Sequence, residues 1–213
     1  MRTLASSATI DPKTGVALVN HRPKVAPEAY ALVIYPGITE AEVARYEKLH
    51  EESAGRTLLI PAVYRAVLAR LNGAFLFQAA LFGIPRSMLQ DPPLLDRSTL
   101  QPLDIGSANA MWRLKYKVDP ALLYFGDGPH SNTENLGYFL ADNGAVETYK
   151  RGGKRLESWP SLGTFISAEI ARLEAAWPEY EREQERLREQ YALEAAAMKK
   201  PKRHTAAKPK QKT

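Results

Sequence analysis

The chain has no cysteine. That excludes disulfide staples, thiolate nucleophiles and cysteine-based zinc sites, and it points to a reducing compartment. Long apolar runs are missing too: no stretch approaches the roughly 20 residues that span a bilayer. The opening residues, MRTLASSATIDPKTG, lack the apolar centre of a secretory signal. Asp11 and the missing amphipathic pattern argue against a transit peptide. A cytoplasmic location is the expectation. The sequence also lacks a phosphate-binding glycine loop and a dinucleotide fingerprint, and its 4 histidines are scattered.

What is present suits a soluble globular chain. Its 213 residues are 45% apolar and 25% charged, enough for one domain with extensions. The net charge of +5 misleads, because the last fifteen residues hold Lys199, Lys200, Lys202, Arg203, Lys208, Lys210 and Lys212 without an acid. Taking those seven from 29 basic residues leaves 22 against 24 acidic ones, a net of −2. The basic character belongs to a tail over 199–213 that has no apolar residues to pack and is expected to be disordered. Such a tail can contact nucleic-acid phosphates weakly and without sequence preference.

Local signals divide the rest. Residues 1–37 contain apolar stretches at 16–19 and 31–35, separated by Pro23 and Pro27, and read as an extension with candidate edge strands. Thr39 with Glu42 makes a capping box, and Ile38 with Val43 a hydrophobic staple, for a helix whose inner stripe is Val43, Tyr46 and Leu49 or His50 and whose stop is Gly55. A second helix starts near Pro61, carries Val63, Tyr64, Val67, Leu68 and Leu71, and is expected to stop at Asn72-Gly73.

Strand-like runs follow at 75–77 and 81–84, then a proline-rich loop over 85–103 and a helical stretch over 104–117 with Met111, Leu114 and Val118 on one side. Runs at 122–125, 136–140, 146–151 and 154–159 are punctuated by Asp142-Asn143-Gly144 and Gly152-Gly153, as in a meandering antiparallel sheet. A last helix begins after Ser161 with Leu162, Phe165, Ile166, Ile170, Leu173 and Trp177 inward, and Pro178 is expected to interrupt it. Residues 178–198 read as a charged helical extension laid partly on the domain. The predicted fold is α+β: an antiparallel meander of about four to six strands flanked by helices over 38–177.

In this order the motifs resemble the SUKH superfamily, which includes fungal cell-wall assembly regulators and bacterial immunity proteins. Members show a helix patterned LP-x-x-Y-x-x-x-L-x-x-x-NG, matched here by Pro61, Tyr64, Leu68, Asn72 and Gly73 after Ile60. An FG-D-G turn ahead of a strand with aromatics is matched by Phe125, Gly126, Asp127 and Gly128, then Tyr138 and Phe139, while Ala74 stands where members often have a second glycine. The resemblance spans about residues 38–174. It implies a sheet flanked by helices that binds other proteins, in bacteria often a toxin that it neutralises. The matched residues are scaffold markers under this resemblance, and no catalytic, cofactor-binding or metal site is carried over with them.

Chemistry outside that frame is sparse. Asp127, His130 and Ser131 are neighbours in sequence, but a hydrolytic triad needs a chain of hydrogen bonds and an oxyanion site that adjacency rarely supplies. His130 with Asp127 and Glu134 matches no standard ligand spacing. Trp112, Tyr116, Tyr124, Tyr138 and Tyr149 are read chiefly as core, with any exposed one an interface candidate. The expectation is a non-enzymatic protein-binding module of the immunity or antitoxin type, without cofactor or membrane. The mild acidity of its body suits a basic toxin surface. The alternative is a regulatory adaptor that contacts nucleic acid through the tail.

Overall fold

Alternation of apolar and polar residues dominates the middle of the chain, and sheet is what it builds. A computed structural model describes residues 8–198 apart from 24, 26–28, 56, 90–100 and 132–133. Nine strands lie in chain order, each antiparallel to the next. They are β1 (Ala8–Ile10), β2 (Ala17–His21), β3 (Tyr30–Pro36), β4 (Leu71–Leu76), β5 (Ala79–Leu81), β6 (Leu123–Ser131), β7 (Glu134–Leu140), β8 (Val146–Lys150) and β9 (Arg155–Trp159). The helices are α1 (Glu40–Ala54), α2 (Ala62–Leu68), α3 (Arg86–Leu89), α4 (Ile105–Ala110) and α5 (Leu162–Met198), with a 3-10 turn at Trp112–Lys115. The α+β class and the meander agree with the sequence. The tail expected over 199–213 lies outside the described residues.

Nine strands replace the four to six expected because β1–β3 are added to them, and one helix ends earlier than expected. The apolar stretches ahead of residue 38 join the sheet, because Pro23 falls in the turn between β2 and β3, where a proline removes no ladder hydrogen bond. Val16, Val33 and Tyr35 close a small core of their own there. The second change lies at Asn72-Gly73. The preceding helix ends at Leu68, and these residues belong to β4 rather than to a helix stop. Gly73 uses its left-handed freedom (φ +81°) inside the strand, where a Cβ would sit 2.7 Å from the Leu81 carbonyl oxygen. The buried Asn72 amide donates to the Ile84 carbonyl at 2.7 Å and accepts the Ile84 N–H at 2.8 Å, continuing the ladder with a side chain.

The capping box of α1 forms as its residues require: the Glu42 N–H donates to Thr39 Oγ1 at 3.3 Å and the Thr39 N–H to Glu42 Oε2 at 2.7 Å, with Gly55 left-handed at the far end. Val43 and Tyr46 are buried, whereas Leu49 faces solvent. Ser161 caps α5, accepting the Thr164 N–H at 3.2 Å. The expected interruption at Pro178 does not occur, and α5 runs through it. A proline here forgoes one hydrogen bond. Contacts on both sides offset that loss: Trp177 packs on Phe77 with ring centroids 5.3 Å apart, Glu181 pairs with Arg22 at 3.3 Å, and Arg188 donates to the Pro23 carbonyl at 2.8 Å.

The main core lies on both faces of β6 and β7. On one face Phe125 and Tyr138 meet Phe165 of α5 at 5.7 and 4.8 Å, and Tyr64 of α2 meets Phe125 at 5.5 Å. On the other, Tyr124 stacks on Phe139 at 4.9 Å, and Tyr116 and Phe82 pack against Tyr124 at 5.3 and 5.0 Å. Helix 104–117 is split into α4 and the 3-10 turn. Its buried hydrophobic residues are Ile105, Ala108 and Tyr116; of the stripe of Met111, Leu114 and Val118, Val118 packs on the core while Met111 is 58% exposed and Leu114 68%.

Asn72→Ala tests the side-chain ladder. It leaves the buried Ile84 N–H and carbonyl without partners, so urea unfolding should show a loss of about 2–4 kcal/mol. A loss under about 0.5 kcal/mol would show that water or backbone movement replaces the amide.

Candidate interaction surface

Strands β8 and β9 are joined by a turn that two glycines make possible. Gly152 and Gly153 both adopt left-handed backbone (φ +91° and +94°), and the Lys150 N–H donates to the Lys154 carbonyl at 2.9 Å. The turn rests on a distant part of the chain. The Gly152 N–H donates to the Lys115 carbonyl at 2.9 Å, and a Cβ on Gly153 would lie a tight 3.1 Å from the Tyr116 carbonyl oxygen, which together with its left-handed backbone disfavours a larger residue there.

The docking gathers charge. Arg113 and Lys115 lie in the 3-10 turn and Lys117 just after it, and the hairpin adds Lys150, Arg151, Lys154 and Arg155. Some are already partnered. Lys150 pairs with Glu134 at 2.7 Å and Arg155 with Glu147 at 2.8 Å, and Arg113 donates to the Asp119 and Pro120 carbonyls at 2.7 and 3.2 Å. Lys115, Lys117 and Lys154 are exposed and form no ion pair among the described residues. Lys117 is also one of the few non-glycine residues held at positive φ, +53°. Met111 and Leu114, three residues apart, stand exposed beside these cations.

Beneath the surface lies Asp127, half-buried, accepting from the Tyr124 hydroxyl at 3.3 Å. Burial raises its pKa above the ordinary 3.8, against the opposing pull of that hydroxyl, Arg151 and Lys115. Burial likewise pushes up the Tyr116 and Tyr124 hydroxyls, and Tyr149 is pushed up to about 12 by burial and by its hydrogen bond to Glu147. Glu134 is held below the usual carboxylate range by its hydrogen bond from Lys150.

The residues singled out in the sequence are dispersed differently. Asp127, His130 and Ser131 lie along β6 itself rather than in a turn, as does the whole Phe125-Gly126-Asp127-Gly128 motif. Asp127 is engaged with Tyr124 and Glu134 with Lys150, while His130 is exposed. Among the described residues no three His, Asp or Glu side chains are grouped closely enough to hold a metal ion. The scaffold markers do gather. Tyr64 donates to the Phe82 carbonyl at 2.6 Å, Leu68 is fully buried, a Cβ on Gly126 would lie 2.5 Å from the Ala80 carbonyl oxygen, and Tyr138 bonds to Glu169, itself paired with Arg172. Pro61 precedes α2 as its N-cap residue. The basic segment 199–213 lies outside the described residues.

Sequence reasoning missed two features. The basic surface was hidden by summing charge over the body, although the runs RLKYK at 113–117 and KRGGKR at 150–155 were visible. Buried Glu169 was passed over although it stands four residues from both Phe165 and Leu173, on the inner stripe of α5.

No family model matches the chain, and neither the curated proteins nor the solved structures searched contain a match.

Because the folded state holds the Asp127 proton to a higher pH than the unfolded chain does, stability from this site is full below pH 3.8 and falls as pH rises through the raised value. Asp127→Asn removes that fall. Its stability relative to the native protein should therefore improve between acidic and neutral pH in urea titrations, whereas a pH-independent difference would contradict the burial of this carboxylate.

Proposed function

We propose that the chain is a non-enzymatic protein-binding module of the SUKH type, an immunity protein that neutralises a toxin in the cytoplasm by direct binding. The observation that carries this reading is the surface just described. An exposed apolar pair framed by charged groups is the arrangement of an interface, with apolar centre and polar rim. It stands on a sheet packed on both faces, which holds it in shape before a partner arrives and so lowers the ordering cost of association. Tyr64, Leu68, Phe125 and Tyr138, among the residues resembling the family's motif, belong to the core beneath this platform. Neutralisation follows from occlusion, since a domain seated over a toxin's working face excludes its substrate.

A regulatory adaptor working through Lys199, Lys200, Lys202, Arg203, Lys208, Lys210 and Lys212 is the competing reading. Co-expression with a toxin-like domain encoded by a neighbouring gene separates the two. Under the immunity reading both the full chain and a chain ending at Met198 protect the cells and form a complex with that domain. Protection and binding that vanish on truncation, with a steep salt dependence, support the adaptor. Failure of the full chain to protect or to bind would contradict the immunity reading.

A further inference from the structure

We propose that the surface made by residues 111–117 and 150–155 docks an acidic protein segment that carries apolar side chains. This rests on the reading of the chain as a protein-binding module and names the chemistry of its partner. It also reverses an expectation: with the tail set aside the chain is net acidic, yet its interaction surface is basic.

Three observations converge on that chemistry. The first is the apolar pair. Met111, at the start of the 3-10 turn, and Leu114, within it, are 58% and 68% exposed, two large apolar side chains left in solvent. The inner side of the turn is already filled by Trp112 against Phe82 and Tyr116 against Tyr124, with ring centroids 5.7 and 5.3 Å apart. The second is charge: Lys115, Lys117 and Lys154 are exposed and form no ion pair among the described residues, so a partner's carboxylates find three ammonium groups in solvent. The third is the backbone. Lys117 is held left-handed (φ +53°), a conformation disfavoured for any residue with a Cβ and concentrated at functional sites.

Other polyanions fit less well. Glu134 and Glu147 are interleaved with the cations and would repel a phosphate backbone, while a protein segment can place a cation of its own opposite them. Nucleic acid also gains from stacking on exposed rings, but Tyr116 is buried and Trp112 and Tyr149 are half-buried here. An anionic membrane would meet the same carboxylates and only two inserting side chains.

The test uses the full chain, labelled with nitrogen-15, titrated with a synthetic peptide of about 12 residues that alternates Glu or Asp with Leu or Phe and carries one Lys. Amide shifts are expected over 111–117 and 150–155. Lys115→Glu, Lys117→Glu and Lys154→Glu together should weaken binding by about tenfold or more, and Met111→Ser with Leu114→Ser by about fivefold. Single-stranded DNA of about 20 nucleotides and phosphatidylserine vesicles run as competitors. If the triple variant does not fold, Lys117→Glu alone and a salt titration of the native chain read the same charge dependence. Unchanged affinity in the charge-reversed protein would overturn the proposal. Peptide shifts mapping elsewhere overturn this surface but leave the protein-binding reading intact. Preference for DNA or vesicles at these residues overturns both.

Discussion

Tyr124 of β6 stacks on Phe139 of β7, rings 4.9 Å apart and nearly parallel, while on the reverse face Phe125 and Tyr138 lie 6.1 Å apart beneath Phe165. Because successive strand residues point to opposite faces, this pair of strands is apolar on both and must be covered on both. The chain meets that demand with α2 and α5 on one side and α4 with its 3-10 turn on the other. Placement of the turn follows. With Trp112 and Tyr116 committed to the inner face, Met111 and Leu114 have nowhere to go but outward.

Burying so many aromatic rings also buries polar atoms, and most are answered. Tyr138 carries its hydroxyl to Glu169, whose carboxylate is held in turn by Arg172 at the edge of α5. Burial and the Glu169 charge both push the Tyr138 pKa up, so the hydroxyl stays protonated and donates. Asn72 does for Ile84 what a strand neighbour would. Among the described residues the Thr148 hydroxyl, the Trp177 indole N–H and Arg22 Nε are buried without a hydrogen-bond partner.

Much of the architecture was legible because it rests on local chemistry. The capping box at Thr39 and Glu42, the turns at Gly144 and Gly152-Gly153, and the inner stripe of α5 from Leu162 to Trp177 each follow from a few neighbouring residues. Asn72-Gly73 was misplaced because left-handed tolerance ends a helix and kinks a strand equally well, and only the partner at Ile84 decides between them. The spacing of Met111, Leu114 and Val118 reveals that a helix has an apolar side, not which side meets the sheet, and of the three Val118 packs on the core. At Pro178 the local signal is overruled by contacts from Arg22 and Pro23, just after β2 and more than 150 positions away in sequence. The basic surface needed the fold itself, since its halves are joined by one backbone hydrogen bond between residues 115 and 152.

That hydrogen bond makes the two halves one preformed surface rather than two independent basic segments, and native-state hydrogen exchange at the Gly152 amide probes it directly. Protection comparable to the β8–β9 ladder is the expected result. Exchange of Gly152 at the rate of an open loop, while β6 and β7 stay protected, would contradict it.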